Sequence, residues 1–327
     1  MIKRIALIAA AAAALAVPAA QGAGGHVSLV GYSTPNVAFG KLIAAFQATP
    51  AGKDVTFDQS YGAAESQVKA VIAGLPADLV DFSLADNVND LVKAGLVDKS
   101  WSQNKYGGIV TRSVVVFVVR NGNPKHIKTW DDLIKPGVQV VAANPFTSGG
   151  ARWNVLAAYG SQLREGKKSG AATDYLLKLF QHVVSQDSSG RNALNTFLSG
   201  KGDVLRTYEN EAKLAQAQGK PVFYLIPKAT IRIENPLAIL KKSRSNAAVQ
   251  AFYKFLYSPQ GQEIWAQQGY RPVDLSVYDK HKADFPIRPQ LFTIKYLGGW
   301  AKVTPQFFDP QNGIMARIER SLGVSTG

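Results

Sequence analysis

The sequence predicts an α/β fold of two lobes, each a mostly parallel sheet flanked by helices, joined by two crossings. Three observations predict it. A short apolar strand, a polar loop and an amphipathic helix follow one another repeatedly, the pattern of parallel sheets. At 327 residues the chain is long enough for two domains. Finally, residues 113–119 form a continuous apolar run with five valines, as a strand buried on both faces would be. That run is expected to cross from one lobe to the other, and the apolar stretch 236–240 to make the return crossing. The expected division is a signal segment over 1–25, the first lobe over 26–115, the second over 116–228, and the first lobe again over 229–327, including the C-terminal helices.

The elements follow in order. Residues 26–30 form a strand feeding Gly31-Tyr32-Ser33-Thr34-Pro35, after which Phe39, Leu42, Ile43 and Phe46 recur at helical spacing. Ser or Thr as N-cap with Pro at the first helical position is the expected start. Residues 54–57 feed Gln59-Ser60-Tyr61-Gly62, followed by Val68, Val71 and Ile72 on one helix face and Gly74 as the stop. Residues 139–142 feed the loop 144–150, then Trp153, Leu156, Ala157, Gly160 and Leu163. Residues 182–184 feed Asp187-Ser188-Ser189-Gly190, then Leu194, Phe197 and Leu198. The tail carries a helix over 248–257, with Ser258-Pro259 opening another that runs to Gly269.

Composition excludes several chemistries. No cysteine means no disulfide, thiolate zinc site, iron–sulfur cluster or cysteine nucleophile. Lys3 and Arg4 precede an uncharged run over 5–17, and small residues follow Pro18, the three parts of a secretory signal. Its 13 residues fall short of the roughly 20 that span a bilayer. No Cys follows to take a lipid, so a soluble periplasmic protein is expected. Lys and Arg number 37 against 23 Asp and Glu, a net charge of +14. These basic residues form no run longer than Lys241-Lys242-Ser243-Arg244 and interleave with no aromatic platform, which argues against nucleic acid. Spread this way they read first as a solvated surface, and second as a field that concentrates an anionic ligand.

Enzyme signatures are nearly empty. The His residues at 26, 126, 182 and 281 have no metal-ligand spacing. A literal GxSxG ends the chain at Gly323–Gly327 with no helix after it, so a nucleophile elbow cannot form. No phosphate-cradling glycine motif is present, and no cofactor is expected. Asp131-Asp132 and Glu209 with Glu211 read as helix first-turn acids. What recurs instead is four helix starts directly after strands, at Ser33-Thr34, Gly62, Ser148-Gly149-Gly150 and Ser189-Gly190. Unpaired N–H groups and the positive dipole end make such starts favourable to anions. Singly, each is an ordinary helix start. Two glycines in one first turn, however, cost roughly 2 kcal/mol of helix propensity, and close approach of a ligand is a reason to keep them.

These residues carry a family resemblance. The segments Gly31–Pro35, Trp130–Gly137, Asn144–Asn154, Gly202–Leu205, Tyr208–Ala212, Gly269–Pro272 and Gly298–Lys302 make the chain similar to the sulfate-binding proteins that serve ABC importers, over about residues 27 to 303. The resemblance implies a type II periplasmic binding protein, monomeric, with no catalysis. It would hold sulfate, or a related tetrahedral oxyanion such as thiosulfate, by hydrogen bonds and deliver it to a membrane-embedded ABC permease. It implies Ser33 as the contribution of the first lobe, the Ser148 hydroxyl and the N–H groups of Gly149, Gly150 and Gly190 from the second, an aromatic donor at Tyr208, and Arg191 as support for its loop. One segment departs from the family pattern. At Ala64 the expected hydroxyl is missing, and Glu65 stands where glycine is usual. At about 6 Å a carboxylate and a dianion repel by on the order of 1 to 5 kcal/mol. Either Glu65 points away, with Ser66 or Ser60 taking the hydroxyl role, or it accepts a proton from phosphate or a sulfate ester, or serves as a base in a hydrolase acting on such esters.

Overall fold

Strand β1 (His26–Tyr32) is buried at six of its seven positions and forms the centre of a parallel set. It pairs with β2 (Thr56–Gly62) on one side and β3 (Leu79–Asp81) on the other, with α1 (Asn36–Gln47), α2 (Ala64–Ile72) and α3 (Ala85–Lys93) as the following helices. This computed structural model describes residues 24–324, so the expected signal segment lies outside the described residues except for Gly24 and Gly25, as does Ser325 of the C-terminal GxSxG. Among the described residues no helix is long and apolar enough to cross a membrane.

Strand β4 (Ile109–Arg120) is the expected crossing. Its first half pairs with β9 (Ala229–Ile239), and its second half with β7 (Val204–Tyr208) and β8 (Val222–Leu225). Val114 to Val119 are fully buried, as the unbroken apolar run requires. The second parallel set is β7, β5 (Val140–Ala143) and β6 (Val183–Asp187), connected through α4 (Gly149–Arg164), α5 (Ser169–Gln181) and α6 (Gly190–Leu198), with α7 (Glu209–Ala217) after β7. Strand order is β2-β1-β3-β9-β4-β7-β5-β6. The two-lobed α/β architecture expected from the sequence is present, and the loops after each parallel set gather at one end of it.

The return crossing is longer than the stretch 236–240 expected for it. Strand β9 begins at Ala229 because Arg232, Glu234 and Asn235 belong to its ladder against β4, a polar segment that conceals a strand from an apolar search. Helices α8 (Ala247–Tyr257) and α9 (Pro259–Gln267) return to the first lobe, where Phe252 and Trp265 meet the Phe39 ring at 6.4 and 5.1 Å between centroids. Ser258 caps α9 as expected, accepting from Gly261 N at 3.2 Å. After them come β10 (Arg271–Pro272), α10 (Leu275–Lys280) and β11 (Gln290–Phe292). The last helices, α11 (Trp300–Phe308) and α12 (Ile314–Ser321), pack on the second lobe: Trp300 meets Trp153 at 4.7 Å and Phe307 meets Tyr159 at 4.8 Å. These rings thus find their partners on α4. Two smaller expectations also change. Pro35 itself is the N-cap of α1, with no side-chain cap from Ser33 or Thr34, and Ile72 is 48% exposed.

Candidate functional site

The helix starts singled out in the sequence meet around one hollow. A small, largely enclosed cavity is lined from the first lobe by Tyr32, Ser33, Thr34, Ala63, Ala64 and Ser83, and from the second by Ser148, Gly150, Asn154, Gly190, Thr207 and Tyr208. Parallel register brings this about, since β1, β2 and β3 end together, as do β5, β6 and β7. Ser148 caps α4 by accepting from Ala151 N at 3.3 Å, and Ser189 caps α6 by accepting from Asn192 N at 3.2 Å. A hydroxyl that accepts in this way keeps its own proton to donate. The first-turn N–H groups of Gly149, Gly150 and Gly190 have no acceptor inside their helices, so the second-lobe wall is rich in donors.

The lobes touch around the cavity. A Cβ at Gly149 would lie 2.6 Å from Ser83 Cβ and 3.0 Å from Leu84 Cγ, so only glycine lets α4 approach this closely. Trp153 Nε1 donates to Ser83 O at 2.8 Å. Arg191 joins three elements: it forms a bidentate pair with buried Glu211, at 2.8 and 2.7 Å, and its Nη2 also donates to Thr34 O at 2.8 Å. Burial works against the Arg191 charge, but Glu211 more than offsets it and keeps the guanidinium above its ordinary range. Arg191 N reaches Ser33 Oγ at 3.4 Å. Arg191 and Gly149 thus lie at the contact between the lobes, beside the cavity lining.

Several buried polar atoms here have no partner. Tyr208 OH and Tyr32 OH can donate to a ligand, whereas Asn154 Oδ1 is an acceptor; all three residues line the cavity. Burial holds the Tyr208 hydroxyl far above the ordinary phenol range, so it keeps its proton and can donate. Asp81, one strand away, is also buried with neither oxygen partnered, and burial holds its carboxyl well above the usual range. The native state then keeps a proton that the unfolded chain gives up above about pH 3.9, so stability falls as pH rises through that window, by about 1.4 kcal/mol per unit. Asp81→Asn should accordingly melt several degrees above the parent at pH 8, with a smaller gain at pH 4.5. Equal shifts at both values would show that Asp81 is ionised in the fold.

Glu65 does not reach the cavity. Its Oε1 accepts from Asn87 Nδ2 at 2.8 Å and lies 3.3 Å from Arg152 Nη1, while its N–H donates to Thr147 O at 3.3 Å. The carboxylate is thus held between a first-lobe amide and a second-lobe guanidinium. Neither expected substitute for the missing hydroxyl lines the cavity: Ser60 is bonded to Gln67, and Ser66 lines an adjoining outer depression that shares Ser33 and Ala63 with it. Ser83 is the hydroxyl residue of the first lobe that stands opposite the α4 start. It is buried, lines the cavity and was not singled out from the sequence, where it is one serine in an ordinary strand-to-helix turn. Among the described residues no group of three His, Asp or Glu could hold a metal.

Comparison with known proteins agrees with this geometry. Residues 27–271 match the family described as bacterial extracellular solute-binding protein. The sulfate-binding protein of Synechococcus elongatus is 41% identical over 292 residues, covering 86% of this chain and 83% of that one. The thiosulfate-binding protein of Pseudomonas aeruginosa is 37% identical over 267 residues, covering 79% and 80%. The solved sulfate-binding protein SubI from Mycobacterium tuberculosis has a TM-score of 0.84 at 44% identity, covering 87% of this chain and 100% of that one. With a donor-lined cavity between two α/β lobes and relatives of this similarity, the chain belongs to the bacterial extracellular solute-binding proteins, in the group that contains the sulfate- and thiosulfate-binding proteins.

Proposed function

We infer that this protein captures sulfate, or thiosulfate, between its lobes in the periplasm and delivers it to an ABC permease, performing no chemistry on it. The observation that carries the reading is the lining: hydroxyls and helix-start amides, with no carboxylate. Sulfate only accepts hydrogen bonds, which suits such a wall. Monohydrogen phosphate must also donate one, and a proton left without a good acceptor costs about 1 to 3 kcal/mol, a roughly ten- to hundredfold penalty. Asn154 Oδ1 is a neutral acceptor and cannot favour a protonated guest as a carboxylate would. A hydrolase would need a base beside the anion, and Glu65, the residue considered for that role, is engaged elsewhere. We assign residues 26–115 and the α8–α9 segment to the first lobe, and the second-lobe strands together with α11 and α12 to the other.

Calorimetric titration tests the assignment. Sulfate at a thousand times its dissociation constant should stabilise the fold by about 4 kcal/mol. No heat and no melting shift with sulfate, thiosulfate or phosphate would overturn it. Within the site, Ser83→Ala should weaken sulfate roughly tenfold or more, the worth of one hydrogen bond to a charged group. Unchanged affinity would show that Ser83 does not replace the hydroxyl absent at Ala64.

A further inference from the structure

A second pocket, sharing no lining residue with the oxyanion cavity, lies on the crossing strands. Its volume is about 210 Å³. Register places three guanidinium groups on one face there. Arg271 pairs across strands with Arg112, Arg112 pairs with Glu234, and Arg232 lies two residues from Glu234 along β9. Two of these cations are matched. Arg271 donates to Glu209 through Nε at 2.7 Å and Nη2 at 3.1 Å, and Arg232 donates to Glu234 at 2.7 Å. Arg112 is left over: it has no hydrogen bond among the described contacts, and its buried Nε lacks an acceptor, as does Arg232 Nε. Burial, with Arg232 nearby, works against its charge, and Glu234, already bonded to Arg232, offsets this only in part. A partly desolvated cation that must share one carboxylate with a second arginine is costly, and a further anion lowers that cost.

The remaining walls are apolar. Val114, Pro272 and Leu291 lie beside the arginines, and Leu275 and Ile287 stand at the rim, 70% and 67% exposed. An inorganic anion would satisfy Arg112 and leave that surface in water. We propose that this pocket is a second binding site, for a small amphipathic carboxylate whose head sits on Arg112 and Arg232 and whose hydrocarbon part covers Leu275 and Ile287. A planar carboxylate matches the guanidinium fork, and a single negative charge balances the single unmatched cation.

Octanoate and 4-phenylbutyrate, titrated into the full mature chain by calorimetry and saturation-transfer NMR, test this independently of the sulfate assignment. The expected result is saturable one-to-one binding that persists in excess sulfate. Arg112→Gln should weaken it at least tenfold, and Leu275→Glu, an exposed position that leaves the fold alone, should do the same. Sulfate affinity should be unchanged in both variants. No saturation at millimolar octanoate, equal binding of neutral octanol, displacement by sulfate, or full affinity in either variant would overturn the proposal.

Discussion

A Gly149→Val variant should bind sulfate at least a hundredfold more weakly. The new Cβ would be forced to 2.6 Å from Ser83 Cβ, a separation that folded proteins do not tolerate. Both atoms sit on well-packed elements, the start of α4 and the turn after β3, so neither can yield as the tip of a flexible side chain does. The clash belongs to the arrangement in which the lobes meet, as they do here. Apart, valine in the first turn of α4 costs no more helix propensity than the glycine it replaces. Binding suffers because amides of the second lobe and hydroxyls of the first can no longer reach the same anion. Losing two hydrogen bonds to a charged group, at about 1.5 to 3 kcal/mol each, already exceeds a hundredfold. Gly170→Val is the control, since nothing lies within 4 Å of a Cβ there, and its affinity should equal the parent's. Calorimetry on the three proteins decides the matter: sulfate affinity in Gly149→Val within a few fold of the parent would mean that the anion is not clasped at this turn.

What could be read in advance was local. The caps at Ser148, Ser189 and Ser258 form as their sequences indicate, because a hydroxyl beside the first turn needs nothing distant to satisfy it. Distant chemistry decided the rest. Glu65 is turned from the cavity by Asn87 and Arg152, 22 and 87 residues away along the chain, and no spacing rule announces such a pairing. Residues 59–62 look like a polar loop, yet they are strand, in register with β1 from Leu29↔Gln59 to Tyr32↔Gly62. Polar residues suffice there because β2 is the sheet's edge and has one ladder to satisfy. For α11 and α12, the apolar stripe says that each helix is covered on one side and is silent about which lobe covers it. Ser83 and Asp81 follow the same logic, since one is set by the helix start opposite it and the other by burial that only the assembled sheet provides.

Loss of either partner in the Glu209–Arg271 pair should destabilise the protein by about 3 to 5 kcal/mol, lowering the melting temperature by roughly 10 °C. Both side chains are nearly inaccessible, at 0% and 6%, and the contact is bidentate. Arg271 also donates to Phe285 O at 3.2 Å and Pro286 O at 3.0 Å, so one guanidinium ties the start of α7 to β10 and to the segment after α10. Burial pushes Glu209 above the usual carboxylate range even with Arg271 opposing it. Removing the arginine leaves the burial opposed only by Lys213, the smallest of the influences, so Arg271→Met should fold with Glu209 protonated. The native state then binds a proton that the unfolded chain lacks above about pH 4.3, and the deficit should deepen as pH rises. Glu209→Leu leaves a buried guanidinium that cannot give up its charge, and its deficit should depend little on pH. Replacing both, as Glu209→Leu with Arg271→Met, removes the charges together and should recover much of the loss, because the desolvation of two ions disappears with their attraction. Melting curves of the three variants at pH 5 and pH 8 separate these terms. If the double variant is no more stable than the singles, the pair contributes through its carbonyl contacts and packing and not through paired charge.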